Sequence, residues 1–326
     1  MSALNPTSTR SAGVRVSVPA TSANLGPGFD VLGLALDLVD VFEVFERGRE
    51  LDIEVDGEGA GTVPTDQDNL FFTTLQMYFA SVGYQPAGLK IREHNQIPLA
   101  RGLGSSAATI VGALLAARAI SGHAMDDGRL LDLAVSLEGH PDNVAAALHG
   151  GFVMVADEGD GRYLARDLEW SDRLGAALFI PDLLVSTESA RGVLPEQYSR
   201  ADAVHNLGRL ALLVAALNEG RLDDLRIATE DRLHQPYRAG LVPGLADIIA
   251  AGNDAGAAGA FLSGAGPTVL AFHDRHVDGL GDRIASAMAK AAATFGLEGR
   301  TLVLDVRGGG AAVEDIDGEQ VVEVEA

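Results

Sequence analysis

The sequence contains no cysteine and only two lysines, Lys90 and Lys290, among its 326 residues. The missing thiols exclude disulfide scaffolds, thiolate nucleophiles, zinc fingers and iron–sulfur clusters. Basic residues are also few, because 24 of them face 46 acids and the net charge is −22. Such a charge repels phosphate backbones at long range, so neither nucleic acid nor an anionic membrane is an expected partner. Any anionic ligand must therefore be held locally.

The length predicts about two domains, at about 150 residues each. Residues 1–10 lack an apolar run, so neither secretion nor a signal anchor is indicated, and a cytoplasmic location is expected. An uncharged stretch at residues 255–272 has the length of a membrane span. Because four glycines before Pro267 interrupt it, the stretch predicts a strand, a glycine-rich turn and a second strand.

Hydrophobic patterning predicts strands and helices in both halves of the chain. In the first half we expect strands at 14–18, 51–55, 89–91 and 152–156, and helices at 69–78, 105–120 and 130–138. In the second half we expect strands at 178–180, 260–262, 268–272 and 301–306, and helices at 202–218, 222–233, 244–253 and 277–295. This is an α+β pattern of two layers in each half. The glycine-rich, then acidic, residues 308–326 are predicted to form a mobile end.

The most informative stretch is a glycine loop that leads directly into the apolar helix at 105–120. Gly102 and Gly104 allow a tight turn that aims backbone N–H groups inward, and the helix start adds partial positive charge, so phosphate is the natural ligand. The stretch has no lysine, which excludes a P-loop, and no third glycine, which excludes a dinucleotide fingerprint. The alternative is that the loop only turns the chain and that a serine caps the helix.

Two further segments concentrate polar side chains. Residues 19–30 place Asn24 and Asp30 on a loop stiffened by prolines and glycines, although both residues could simply stabilise turns. Residues 138–143 contain Glu138, His140, Asp142 and Asn143, of which Asp142 or Asn143 could be a helix N-cap. If a nucleotide triphosphate binds, Mg²⁺ needs hard oxygen ligands, and Glu138 with a loop serine would serve. A solvated charge is the alternative for Glu138.

Taken together, the segments at 19–30, 98–108 and 259–268 resemble three motifs of the GHMP kinases, and they occur in the same order. The resemblance covers about residues 14–306. It implies an α+β, two-domain GHMP kinase fold, with a ribosomal protein S5 domain 2-like amino-terminal domain and a ferredoxin-like carboxy-terminal domain. The boundaries that we expect are a tail at 1–12, an ATP-binding domain at 13–165, a second domain at 166–308 and an acidic tail at 309–326. ATP and an alcohol acceptor would bind in the cleft between the domains.

The segments at 22–30 and 138–143 resemble those members of the family that phosphorylate L-homoserine. The resemblance implies ATP, Mg²⁺ and L-homoserine as ligands, with Ser106 and Glu138 as the metal ligands. The residues expected to bind ATP are Pro98, Leu99, Ala100, Arg101, Gly102, Leu103, Gly104, Ser105, Ser106, Ala107 and Ala108. The residues expected to bind the acceptor are Asn24, Asp30, His140, Thr187, Arg191, Arg238 and Gly264. The residues expected to act in catalysis are Asn143, which would orient the hydroxyl, Asp142, which could be a base or could fix its loop, and Arg191.

Residue chemistry agrees with an amino acid acceptor. Homoserine has a carboxylate that Arg191 and Arg238 could clamp and an ammonium that Asp30 could accept. As an alternative, both arginines could be plain surface cations. A different alcohol such as mevalonate remains a rival acceptor. Asp30 is the residue that distinguishes the two acceptors, because homoserine has an ammonium for it to bind and mevalonate has none. A non-catalytic nucleotide-binding module is the rival from another class, but it would be expected to lose Ser105, Ser106 or Glu138. The family resemblance also implies a homodimer.

Overall fold

The computed structural model describes residues 13–317, so the predicted tail at 1–12 and the end of the acidic tail lie outside the described residues. Two antiparallel-rich sheets organise this part of the chain. The strands are β1 (Gly13–Asn24), β2 (Gly28–Glu46), β3 (Leu51–Gly57), β4 (Leu89–Asn95), β5 (Phe152–Gly159), β6 (Arg162–Leu168), β7 (Leu174–Pro181), β8 (Gly259–Leu262), β9 (Val269–Asp274), β10 (Gly299–Asp305) and β11 (Ala312–Ile316).

Helices cover the sheets and connect them. They are α1 (Leu70–Val82), α2 (Ser105–Ser121), α3 (Asp127–Glu138), α4 (Pro141–His149), α5 (Thr187–Gly192), α6 (Arg200–Glu219), α7 (Leu225–Ala228), α8 (Gln235–Arg238), α9 (Leu245–Asp254) and α10 (Leu280–Ala293). Short 3₁₀ turns at Leu222–Asp224 and Ala239–Leu241 extend two of the connections. No helix within residues 13–317 is long and apolar enough to cross a membrane.

The first sheet has the order β11-β1-β2-β4-β3, and β2 also pairs with β5, which pairs with β6. The 19-residue β2 makes this fork possible: its first part pairs with β5 at Leu32–Leu34 and its last part pairs with β4 from Val41 onward. Only β3 and β4 run parallel, across the α1 connection. Helix α2 lies over this sheet with apolar residues buried on nearly all sides, as predicted for a helix inside a domain.

The second sheet is fully antiparallel in the order β10-β7-β9-β8. In chain order this is strand 4, 1, 3 and 2, the arrangement of a ferredoxin-like β-α-β-β-α-β unit. Helices α9 and α10 cover one face, and their buried residues form a separate hydrophobic cluster with β7 and β9. The predicted α+β architecture of two layers in each half is therefore confirmed.

Local signals explain several of the element boundaries. Asn69 begins α1 by accepting a hydrogen bond from the Phe72 backbone N–H, and Gly83 ends that helix in the left-handed conformation. Glycines in the same conformation bracket α2 at residues 104 and 122. The glycine-interrupted stretch at 255–272 forms β8, a turn and β9, as predicted.

Three expectations about the elements are wrong. The predicted helix at 222–233 stops at Ala228, because the buried Asp231 carboxylate binds the backbone N–H groups of Leu233, His234 and Gln235 and holds an open turn. The segment at 19–30 is a tight hairpin between β1 and β2 rather than a long loop. Residues 312–316, predicted to belong to a mobile end, instead form β11, which pairs with the edge of β1 through the backbone. The domain boundary expected at residue 165 stays a prediction, and that residue lies within β6.

Candidate active site

The glycine loop between β4 and α2 depends on two glycines that no other residue could replace without strain. Gly102 and Gly104 both have φ near +74°, in the left-handed region that favours glycine. A Cβ at Gly102 would overlap the Ser263 carbonyl oxygen, and a Cβ at Gly104 would overlap the Thr21 hydroxyl. Gly104 is the N-cap of α2 and makes no side-chain capping bond, so the alternative that a serine only caps this helix does not hold. The first N–H groups of α2 therefore remain available to an anion.

The loop is locked to the other two motifs by buried hydrogen bonds. The Ser263 hydroxyl, on the turn between β8 and β9, donates to the Gly102 carbonyl oxygen at 2.7 Å and accepts from the Ser22 hydroxyl at 2.8 Å. The Gly264 N–H donates to the Ala23 carbonyl oxygen at 3.1 Å. Three segments far apart in the sequence thus meet at one place, between the two sheets.

A cavity of about 90 Å³ opens at this meeting point. Its wall is formed by the loop, by the α3–α4 junction, by the start of α5 and by the β8–β9 turn. The lining residues are Ala100, Arg101, Gly102, Leu103, Gly104, Ser105, Ser106, Glu138, His140, Asn143, Val185, Thr187, Gly264, Ala265 and Gly266. The cavity combines backbone donors, hydroxyls and a carboxylate, which suits a phosphorylated ligand with a metal ion.

Ser106 and Glu138 face each other on this wall. The Ser106 hydroxyl donates to Glu138 Oε2 at 2.7 Å, although the two residues are 32 positions apart. The Glu138 side chain is only 10% exposed, so it is not the solvated charge of the alternative interpretation. Burial raises the pKa of this carboxyl, against the lowering effects of His140 and of the Ser106 hydrogen bond. Two hard oxygen ligands beside a phosphate loop fit Mg²⁺, which keeps several waters and takes few protein ligands.

The α3–α4 junction presents a chain of polar side chains. His140 Nδ1 lies 2.9 Å from Asp142 Oδ1, which also accepts the Asn143 backbone N–H at 2.8 Å. Burial alone would lower the pKa of His140, but the Asp142 hydrogen bond and the charges of Asp142 and Glu138 raise it above its ordinary value. The N-cap of α4 is His140, so the prediction of Asp142 or Asn143 as that cap is wrong.

Asn143 and Asp142 differ in what they face. Asn143 lines the cavity and donates its amide to the Thr21 hydroxyl at 2.8 Å, which leaves its carbonyl oxygen as the free acceptor. Asp142 is 2% exposed and is absent from the cavity wall. Its carboxylate instead fixes the turn, through His140 and the Asn143 N–H.

Arg191 and Asp30 form a bidentate ion pair beside this junction. The two guanidinium nitrogens donate to the two carboxylate oxygens at 2.7 and 3.1 Å. Burial would lower the pKa of Arg191, but the hydrogen bond and charge of Asp30 raise it. Both side chains are about one-third exposed, so an incoming molecule can reach them. Asn24 fixes the hairpin by accepting the Asp30 N–H, which is the turn-stabilising role weighed from the sequence, and also donates to the Gly264 carbonyl oxygen.

Arg238 contacts the same Phe29 ring as Arg191 and is only 2% exposed, so it is not a plain surface cation. It donates to the carbonyl oxygens of Ala190 at 3.1 Å and Gly264 at 2.9 Å. Burial lowers its pKa, and the positive charge of Arg191 lowers it further. Within residues 13–317 no carboxylate lies within ion-pair distance of Arg238, so its charge has no acidic partner there.

The structure brings most of the predicted residues to one place. Of the loop residues, Ala100 to Ser106 line the cavity, whereas Ala107 and Ala108 are buried in the core, and Pro98 and Leu99 are not on its wall. His140, Asn143, Thr187 and Gly264 also line it. Five further predicted residues adjoin the cavity through the contacts given above: Asn24, Asp30, Asp142, Arg191 and Arg238.

Sequence reasoning missed three residues of the site. Thr21 holds the Asn143 amide, and Phe29 lies against both arginines. His234 bonds to the Gly26 carbonyl oxygen and to Arg238. Thr21 and Phe29 belong to the segment at 19–30, and His234 lies four residues before Arg238, but nothing in the pattern distinguishes them from residues that only shape a turn.

Comparison with known proteins agrees with this geometry. Residues 69–151 match the family model described as GHMP kinases N terminal domain, and residues 213–292 match GHMP kinases C terminal. The chain is 46% identical to a homoserine kinase of Moorella thermoacetica over 84% of this chain and 92% of that protein. It is 42% identical to a homoserine kinase of Desulfitobacterium hafniense over 92% of this chain and 99% of that protein.

A solved structure extends the comparison to the fold. The crystal structure of homoserine kinase from Cytophaga hutchinsonii superposes with a TM-score of 0.82 at 30% identity, covering 96% of this chain and all of that one. The chain therefore belongs to the GHMP kinase family, and within that family it groups with the homoserine kinases.

Proposed function

We propose that this enzyme transfers the γ-phosphate of ATP to the hydroxyl of L-homoserine and so forms O-phospho-L-homoserine, a step of threonine biosynthesis. The observation that carries the proposal is the placement of two arginines, Arg191 and Arg238, beside a lysine-free glycine loop and a shared cavity. The loop would receive the triphosphate, and the arginines would receive the carboxylate of the acceptor. We extend the proposal to a cytoplasmic location, where ATP and amino acids are both available.

The charges beside the cavity suit a zwitterion better than a simple carboxylate. Arg191 and Asp30 pair with each other and remain partly exposed. An amino acid can insert into this pair, because its carboxylate replaces Asp30 on the guanidinium while its ammonium binds the released Asp30. Arg238, which has no acidic partner among the described residues, supplies a second cation for the same carboxylate. Mevalonate has no ammonium and would leave Asp30 uncompensated.

Residues on the cavity wall have separate roles in the proposed reaction. The acceptor hydroxyl oxygen bonds to the γ-phosphorus while the bond from that phosphorus to the β–γ bridging oxygen breaks. The transition state is loose, so positioning and charge neutralisation matter more than a strong base. The free carbonyl oxygen of Asn143 is placed to accept a hydrogen bond from the acceptor hydroxyl and so orient its oxygen, and the hydroxyl proton would pass to an oxygen of the transferred phosphoryl group as the new bond forms. Asp142 fixes the turn that carries Asn143.

Mg²⁺ fits the pair formed by Ser106 and Glu138. Both side chains offer oxygen ligands, they already lie 2.7 Å apart, and both line the cavity that the loop faces. When bound there with the nucleotide, the ion neutralises phosphate charge. The two residues would hold it, and the loop amides would hold the phosphates.

The experiment is an ADP-release assay of the purified protein with L-homoserine, mevalonate, shikimate or no acceptor. Of these four conditions, we expect rapid ADP release only in the one with L-homoserine. Asp30→Asn should raise the KM for L-homoserine while the KM for ATP stays unchanged, because Asp30 and its partner Arg191 belong to the acceptor site and not to the glycine loop. Asp274→Asn is the matched control, since Asp274 also pairs with an arginine, Arg173, but far from the cavity. Faster turnover with mevalonate than with L-homoserine would contradict the proposal.

A further inference from the structure

The aromatic ring of Phe29 lies at the centre of the two-arginine cluster. Its centroid is 5.7 Å from the Arg191 guanidinium carbon and 5.4 Å from that of Arg238. The ring also stacks on His234, at 5.5 Å between centroids and 28° between planes. Distances below about 6 Å allow the negative face of a ring to attract a cation.

The backbone explains why this ring faces the arginines. Phe29 and Asp30 are neighbours at the start of β2, and neighbouring residues of a regular strand point to opposite faces. Asp30 has φ of +56°, a left-handed value that is uncommon for any residue except glycine. With the strand alternation interrupted here, Phe29 and Asp30 both contact Arg191, one through its ring and the other through its carboxylate.

The ring has an electrostatic reason to be there. Arg191 has Asp30 as its partner, whereas Arg238 is buried against carbonyl oxygens and a neutral imidazole. His234 Nδ1 must accept the hydrogen bond from Arg238, because a guanidinium only donates, and its Nε2 must donate to the Gly26 carbonyl oxygen. Among the described residues Asp30 is the one carboxylate in direct ion-pair contact with either guanidinium, while the charges of Asp142 and Asp231 act on Arg238 from further away. The face of Phe29 adds a direct contact to both cations.

We propose that Phe29 is a positioning residue that holds both guanidinium groups ready for the carboxylate of the acceptor and thereby contributes to the selectivity for carboxylate-bearing acceptors. This role rests on the proposed function, since it needs a carboxylate-bearing acceptor in the Arg191–Arg238 pocket. Phe29 acts through the arginines and takes no part in phosphoryl transfer. Its contribution should therefore appear in acceptor binding and not in nucleotide binding.

A fluorination series at Phe29 tests the role with little change of shape. Incorporation of 4-fluoro-, 3,5-difluoro- and 3,4,5-trifluorophenylalanine weakens the negative ring face step by step. We expect the KM for L-homoserine to rise at every step and to be about tenfold higher at the end of the series. The rise is limited because each contact between a partly exposed guanidinium and the ring contributes only modestly to the binding free energy. The KM for ATP and the melting temperature should stay unchanged.

The chain offers a matched control in Phe45, near the other end of β2. Its ring also lies beside two arginines, Arg47 at 5.7 Å and Arg92 at 6.0 Å, but none of the three lines the cavity. The same fluorinated residues at position 45 should leave both KM values unchanged. A second control is L-homoserinol, which has the hydroxyl and the amine but no carboxylate, and whose poor turnover should not respond to fluorination at Phe29.

Two variants separate the ring from its volume. Phe29→Tyr keeps an aromatic face and should retain a KM for L-homoserine near the wild-type value, whereas Phe29→Leu should raise it about tenfold. A KM for L-homoserine that stays flat along the fluorination series, with an active wild-type enzyme, would overturn the role of Phe29 alone. A wild-type enzyme that does not use L-homoserine would overturn the proposed function as well.

Discussion

Replacing Asp40 by asparagine should stabilise this protein at neutral and alkaline pH, because Asp40 is a buried carboxyl with unequal partners for its two oxygens. It lies on β2 and is fully buried. Its Oδ1 accepts the backbone N–H groups of Gln96 at 2.7 Å and Ile97 at 2.8 Å, immediately before the glycine loop. Its Oδ2 is buried and has no hydrogen-bond partner.

The magnitude follows from the pKa of Asp40. Burial raises it from 3.8 to about 7, the two backbone hydrogen bonds act in the opposite direction, and the charges of Glu93 and Glu58 add to the increase. Between these two values the folded state binds a proton that the unfolded state has lost, so stability falls as the pH rises from about 4 to about 7. The full difference corresponds to about 4 kcal/mol above pH 7.

Asparagine removes the charge and keeps an oxygen that can accept from Gln96 and Ile97. Asp40→Asn should therefore raise the free energy of unfolding by up to about 4 kcal/mol at about pH 8, and this gain should shrink towards zero at about pH 4. Urea unfolding across this pH range measures it. The control is Asp37→Asn, three residues earlier on β2, whose exposed ion pair with Arg307 should contribute less than about 1 kcal/mol at any pH.

Two results would refute the reasoning about Asp40. One is an Asp40→Asn variant that is no more stable than the wild type at alkaline pH. The other is a stabilisation that does not depend on pH, which would mean that Asp40 does not titrate in this range. A direct check is the carboxyl titration of Asp40 followed by NMR, which should show a midpoint near 7.

Three further predictions concern the site and the second domain. Gly104→Ala should sharply weaken ATP binding, because the new Cβ would overlap the Thr21 hydroxyl. The control is Gly122→Ala at the other end of α2, where the new Cβ meets no atom within 4 Å, so this variant should lose only about 1 kcal/mol of stability. Titration of each variant with an ATP analogue distinguishes the two effects. Glu138→Gln should raise the Mg²⁺ concentration needed for half-maximal activity by about tenfold or more, and an unchanged requirement would exclude this carboxylate as a ligand. Burial lowers the pKa of His273, whose ring nitrogens are both unpartnered, so stability should fall as the pH drops below about 6.5, and His273→Phe should flatten that part of the pH profile.

The parts of the fold that the sequence predicted are those with strong local signals. Helix α2 was expected at 105–120 and is found at Ser105–Ser121, because glycines at both ends and an apolar run between them define it. The β8–turn–β9 unit was also predicted correctly from its glycines. In contrast, β11 is mostly exposed and has two acids among its five residues, and it becomes a strand by pairing with β1. No local pattern encodes such long-range pairing.

In the candidate site, too, the features with local signals were predicted and those that depend on distant segments were not. Motif spacing located the glycine loop and the α3–α4 junction, and the structure places both on one cavity. The partners of the side chains could not be predicted, because they come from distant segments: the Arg238 guanidinium binds the Gly264 carbonyl oxygen, and Asn143 binds Thr21. The burial of Glu138 and Arg238 could not be predicted from the sequence either, since both residue types usually lie on the surface.

The most direct test of the account is a crystal structure of the protein with Mg²⁺, a non-hydrolysable ATP analogue and L-homoserine. We expect the triphosphate to lie on the backbone N–H groups of residues 102–106, with the amino acid carboxylate between Arg191 and Arg238 and its hydroxyl facing the γ-phosphate. A nucleotide bound elsewhere, with the glycine loop not touching phosphate, would contradict it.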